Sequence, residues 1–242
     1  MTFVRAVELV EGGSGYPWDL PAVRALGERL ELHPKVTYLV GENGSGKSTL
    51  LEGIAVAAGM NPEGGSSHAR FATRESHSPL ADGLRLVRGV TRPRTDFFLR
   101  AESLFTVATY IEELPPGPDG VDPLAAYGGR SLHEQSHGES FLSVVVDRFG
   151  PEGLYVLDEP EAALSTQNCL TLVRRIHELV EAGSQFVIAT HSPIVLAYPH
   201  ATILHCGEHG LEPVAYDDAE PVALTRSFLD APERFLRALM DD

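Results

Sequence analysis

Apolar and polar residues alternate from Phe3 to Val10 (FVRAVELV), which predicts a strand. Pro17 to Leu32 reads as a turn followed by a short helix around Ala22 to Leu30. Val36 to Val40 is a continuous β-branched and apolar run ending at Gly41, the pattern of a strand covered on both faces. Ser48 to Ala58 carries Leu, Ile, Val and Ala at helical spacing, and Gly59 with Pro62 ends it. From Asn61 to Pro79 the chain turns to Gly, Ser, His and Pro, which predicts a surface loop or an inserted segment.

Further along, Leu84 to Val90 and Phe97 to Leu99 read as strands, Glu102 to Glu113 as a helix stopping before Pro115, and Pro115 to Gly120 as a turn. Ser140 to Phe149 then predicts a helix, Leu154 to Leu157 a buried strand, Thr166 to Ala182 a helix and Phe186 to Ala189 another strand. Short apolar strands alternating with helices imply a parallel sheet with helices on both faces. No internal repeat or heptad run is visible.

Composition narrows the class. The chain has 242 residues, of which 43% are hydrophobic and 22% charged, so it can bury a substantial core and is not disordered overall. No apolar run reaches the roughly 18–20 residues of a membrane span. Met1 to Val10 lacks a basic stretch followed by an apolar core, so the expected location is the cytoplasm. Cys169 and Cys206 have no zinc-type spacing and read as reduced thiols. A formal net charge of −15 opposes indiscriminate contact with nucleic acid or anionic lipid. One stretch runs the other way: Arg70, Arg74, Arg85, Arg88, Arg92, Arg94 and Arg100 leave open a basic surface for nucleic acid, or simply a solvated, salt-bridged face.

The chemistry is carried by three segments. Gly41, Glu42, Asn43, Gly44, Ser45, Gly46, Lys47 and Ser48 spell GENGSGKS between a predicted strand and a predicted helix, the context of a phosphate-binding loop. Gly44 and Gly46 allow turns that point several N–H groups at one anion, and the helix start adds its positive end. Lys47 would reach the β- and γ-phosphates of ATP, Ser48 would ligate Mg²⁺, and Thr49 would bond an α-phosphate oxygen. The strand LYVL delivers Asp158 and Glu159 at its C-terminal edge, pointing to opposite faces. Asp158 would hold Mg²⁺ and Glu159 would act as general base on water. Phe186 to Ala189 brings Thr190 and His191 to the same edge, where the imidazole would hydrogen-bond the γ-phosphate or the water.

The ordered set GENGSGKS, SHGES (Ser136 to Ser140), LYVLDEP (Leu154 to Pro160), EAALS (Glu161 to Ser165) and THSP (Thr190 to Pro193) resembles the ABC-type ATPases. More narrowly, it resembles the compact stand-alone "AAA family" ATPases of bacteria, relatives of the RecF and SMC ATPase heads. The resemblance covers nearly the whole chain. It implies an α/β P-loop NTPase fold with a RecA-like parallel-sheet core, an N-terminal antiparallel β part and a small inserted helical lobe. Residues 1–242 would be one domain, with 1–100 and 150–242 forming the nucleotide core and 101–149 the lobe. It further implies an ATP-dependent homodimer in which Ser136 and Gly138 act on the opposite copy's nucleotide, Ala163 and Leu164 pack across the interface, and an unknown protein partner responds.

Two departures accompany it. No glutamine precedes Gln135, and Glu102 stands roughly where the family has one; it either supplies an oxygen to Mg²⁺ or water, or is an acid favoured by a helix N-terminus. His137 and Glu139 replace the Gly and Gln of the common LSGGQ signature, which weakens the alternative of a transporter's nucleotide-binding subunit. Tyr16 or Trp18 would stack on adenine. An SMC-like DNA-repair head is the other alternative, but about 90 residues between Lys47 and Ser136 leave no room for coiled-coil arms.

Overall fold

The computed structural model describes residues 2–27, 29–68, 78–117, 120–207 and 210–240. Its strands are β1 (Val4–Leu9), β2 (Leu30–Glu31), β3 (Val36–Val40), β4 (Leu84–Arg88), β5 (Thr95–Arg100), β6 (Gly153–Asp158), β7 (Gln185–Ala189), β8 (Ala201–Gly207) and β9 (Gly210–Val214). The helices are α1 (Pro21–Arg24), α2 (Lys47–Ala58), α3 (Leu80–Gly83), α4 (Leu104–Glu113), α5 (His137–Ser143), α6 (Thr166–Glu181), α7 (Pro193–Leu196), α8 (Glu220–Asp230) and α9 (Pro232–Met240).

Six strands form one sheet in the order β5-β6-β7-β3-β8-β9, parallel except for β9, which runs antiparallel to β8. β2, β1 and β4 form a separate antiparallel sheet. Every residue of β3, β6 and β7 is buried, as their unbroken apolar runs predict. The alternation of strand side chains splits the core in two. Val36, Tyr38, Phe97, Leu99, Tyr155 and Leu157 face α4, α5 and α6; Leu39, Phe98, Val156 and Val187 face α2 and the antiparallel sheet.

One side chain joins the two sheets. Gln185, fully buried at the start of β7, accepts from the backbone N–H groups of Phe3 and Val4 and donates to the carbonyls of Val4 and His33.

Several boundaries differ from those the sequence predicts. The helix expected over Ala22 to Leu30 is only α1; Gly27 takes a left-handed φ of 55° and Leu30–Glu31 pairs with β1 instead. β4 ends at Arg88, and the following Gly89 packs against the Thr2 carbonyl so closely that a Cβ would come within 1.8 Å of it. α4 begins at Leu104, two residues later than expected. The helix predicted from Ser140 to Phe149 begins at His137 and widens into a π-helical turn over Val144–Arg148, with Phe149 extended. β9, α8 and α9 are additions that the patterning does not reveal. Of the Asn61 to Pro79 segment, residues 61–68 and 78–79 are described, and Gly65 exchanges two backbone hydrogen bonds with Phe98.

Candidate nucleotide site

The loop from β3 to α2 turns on three glycines with positive φ: Gly41 (148°), Gly44 (82°) and Gly46 (92°). Two of them are also sterically required. A Cβ on Gly41 would lie 2.7 Å from the Cys206 carbonyl of β8, and one on Gly46 would lie 2.8 Å from Leu20 Cβ. Lys47 is buried, and its Nζ donates to the carbonyls of Gly41 (2.8 Å) and Glu42 (2.9 Å). Burial pushes the Lys47 pKa down, opposed by the neighbouring Cys206, Glu159 and Asp158. The loop rims a cleft of about 280 Å³ lined by Asn43, Gly44, Lys47, Ser48, Thr49 and Glu159. Ser45 lies beneath it, its carbonyl accepting from Ala22 N–H at 2.8 Å.

The parallel pairing of β6 with β7 and of β7 with β3 delivers the acids to this cleft. Ser48 Oγ donates to Asp158 Oδ1 at 3.0 Å. Burial raises the Asp158 pKa to about 6; Arg100 and the Ser48 hydroxyl oppose the rise, while Glu159 and Glu102 add to it. Glu102 is exposed in the turn before α4, directly preceding the Ser103 N-cap.

Arg100 is a site residue that sequence reasoning missed. Its Nε lies 3.4 Å from Asp158 Oδ2 and its Nη1 3.0 Å from Glu52 Oε2 on α2. Counted along the chain it belongs to an arginine-rich stretch, in which several described arginines have partners of their own. Arg85 pairs with Glu8, Arg94 with Glu152, and Arg88 donates to the Ala57 carbonyl. Arg70 and Arg74 lie outside the described residues.

Glu159 follows Asp158 in a left-handed conformation (φ 46°, ψ 55°), one of two non-glycine residues with positive φ among those described. Holding a glutamate there costs about 1–3 kcal/mol, and its N–H is pinned to the Ala189 carbonyl at 3.0 Å. The twist brings Glu159 Oε1 to 3.7 Å from His191 Nε2, a buried atom with no hydrogen-bond partner among the described residues. Glu161 holds the other end of this arrangement: its carboxylate accepts from Thr190 Oγ1 (2.7 Å) and from the His191 N–H (2.5 Å). Nothing in the spacing of EAALS signals that clamp.

Ser136 and Gly138 stand apart from the cleft. Ser136 caps α5 with a reciprocal pair: its Oγ accepts from Glu139 N–H, and Glu139 Oε2 accepts from Ser136 N–H and Oγ. Gly138 approaches the loop after β6 so closely that a Cβ would sit 3.0 Å from the Ala163 carbonyl. Of the two aromatic candidates, Trp18 is half-buried against Gly13, Gly83 and the core, whereas Tyr16 is 69% exposed on the segment leading to Leu20.

A family model described as an AAA domain matches residues 24–96. The cytochrome c biogenesis ATP-binding export protein CcmA of Rhodospirillum rubrum is 31% identical over 173 residues, covering 69% of this chain and 71% of that protein. The chain belongs to the ABC-type ATPase family. This ABC-type ATPase is also 28% identical over 196 residues to the ABC transporter G family member STR2 of Medicago truncatula, of whose length the chain spans only 26%. The solved structure of cbiO1 from Clostridium perfringens, described as part of an ABC transporter complex, shares the fold: it is 16% identical with a TM-score of 0.52, over 99% of this chain and 100% of that one.

Proposed function

We propose that this ABC-type ATPase hydrolyses ATP with Mg²⁺ as a homodimer closed around two nucleotides, and that the closing and opening act on a protein partner. The observation that carries the reading is the Ser48–Asp158 hydrogen bond, which joins the glycine loop to the acids of β6 in one cleft. The N–H groups from Gly44 to Thr49 would surround the β- and γ-phosphates at the α2 N-terminus. Lys47, now held by two loop carbonyls, would turn its ammonium to phosphate oxygens. Tyr16 would lie against adenine.

Two hard oxygen donors, Ser48 and Asp158, suit Mg²⁺, which commonly takes one or two protein ligands and fills the rest with water and phosphate. Glu102 would add a further oxygen, directly or through water. Bound there, the ion would neutralise charge on the phosphoryl oxygens. Glu159 would take the proton of the attacking water, and His191 Nε2, facing Glu159 without another partner, would orient that water or the γ-phosphate.

Ser136 and Gly138 do not line the cleft of their own chain. They would therefore serve the nucleotide of the second copy, with Ala163 and Leu164 at the interface. Residues 1–242 would act as one ATPase domain in the cytoplasm. The names of the relatives favour a second reading, a transporter's nucleotide-binding subunit. Among the described residues no helix is long and apolar enough to cross a membrane.

The test is complementation. Lys47→Ala and Ser136→Ala variants should each lose most hydrolysis alone. Mixed, they should regain turnover, because one site of the heterodimer keeps both intact groups. A mixture as inactive as its parts removes the sandwich.

A further inference from the structure

Arg100 ends β5 directly opposite Asp158 in the parallel register of β5 and β6. The guanidinium lies over the Phe98 ring, 5.7 Å from its centroid, and contacts two acids at once. All three charged side chains are largely removed from water, with Arg100 at 22%, Glu52 at 17% and Asp158 at 7% exposure. Exposed ion pairs of this kind do little, but desolvated ones are strongly coupled. Both oxygens of Asp158 are engaged: Oδ1 by Ser48 and Oδ2 by Arg100. Glu52 is itself anchored, its Oε1 accepting from the Ser78 N–H at 3.0 Å.

We propose that Arg100 is a built-in competitor of the divalent metal at Asp158, neutralising that carboxylate until metal and nucleotide arrive together and then withdrawing onto Glu52. The inference rests on the ATP-binding reading above. A dication beside Ser48 and Asp158 would face the guanidinium at short range, and two positive charges in a partly desolvated site repel strongly. Glu52 gives the arginine an acid to retreat to, so the site need not expel the charge to water. Metal alone then binds poorly, whereas metal carried by nucleotide phosphates supplies the extra attraction needed to displace the guanidinium. Arg100 is thus a positioning residue for the metal, not a group that reacts.

The probe is Mn²⁺, followed by electron paramagnetic resonance on the full chain with and without ADP. Arg100→Gln should bind Mn²⁺ about tenfold more tightly, with the larger gain in the absence of ADP. Arg100→Lys, which keeps the charge, should stay near the wild type. Glu52→Gln, which leaves Arg100 only Asp158 to pair with, should weaken Mn²⁺ binding severalfold. Unchanged or weaker Mn²⁺ binding in Arg100→Gln, with the wild type binding normally, overturns the proposal. Should Arg100→Gln fail to fold, Mn²⁺ binding by Glu52→Gln that is unchanged or tighter overturns it instead. A wild-type chain that takes up no Mn²⁺-ADP sinks the ATP-binding reading itself.

Discussion

Ser48 and Asp158, 110 positions apart in the chain, share a 3.0 Å hydrogen bond. That bond is possible because β6 lies two strands from β3 in a parallel sheet, so both strands release their chains at the same edge. The catalytic expectations below follow from what stands beside it.

Glu159→Gln should keep ATP binding and lose about a hundredfold or more of turnover, the scale of a missing general base. With hydrolysis blocked, it should elute as a dimer in Mg-ATP and as a monomer without it. Size-exclusion chromatography with light scattering reads this directly; a monomer under both conditions would contradict ATP-driven closure.

Glu161→Ala removes the acceptor for the Thr190 hydroxyl and the His191 N–H. With His191 no longer held against Glu159, kcat should fall about tenfold to a hundredfold while KM for ATP changes little. Glu161→Gln retains one acceptor oxygen and should recover part of the loss. Steady-state kinetics normalised to the folded fraction from circular dichroism checks this; normal kcat per folded chain in Glu161→Ala would remove the positioning role.

The parallel sheet and the placing of most candidate site residues at its edge are legible in the sequence for a physical reason. β3 and β6 are covered on both faces, so they read as unbroken apolar runs, and the candidate site residues follow immediately at their ends. Arg100 is not legible, because a charge after Phe97, Phe98 and Leu99 looks like a strand emerging into water; only the register against Asp158 turns it inward. Glu161 escapes likewise, since its partners Thr190 and His191 are 29 and 30 positions away. The Ala22 to Leu30 helix fails because β2 is two residues long and is defined by its partner strand more than by its own pattern.

Gln185→Leu should destabilise the chain by about 2–4 kcal/mol, since it leaves buried N–H groups of Phe3 and Val4 and carbonyls of Val4 and His33 without partners. That corresponds to a fall of roughly 5–10 °C in melting temperature. Calorimetry at neutral pH checks it, and a shift within a degree would mean the two sheets hold together without this amide.

His33 supplies a pH dependence. Its Nδ1 accepts from the N–H groups of Lys35 and Val36, which requires the neutral ring. Burial lowers its pKa in the fold, with Lys35 and His200 adding to the effect. A depressed folded pKa contributes stability that is present above the unfolded value of about 6.5 and is lost as pH falls through the folded value. The wild type should therefore lose more melting temperature between pH 7.5 and 5.5 than His33→Asn, whose amide oxygen still accepts and does not titrate. Equal slopes would exclude His33 as the titrating group.

Glycine would suit the backbone at position 159 better than the glutamate found there, because the left-handed turn suits a residue with no Cβ. Evolution toward a more heat-resistant chain thus meets a standing temptation at its most valuable position. A screen that selects for thermal endurance alone would drift toward discarding this acid, and only a screen that also demands turnover would keep it.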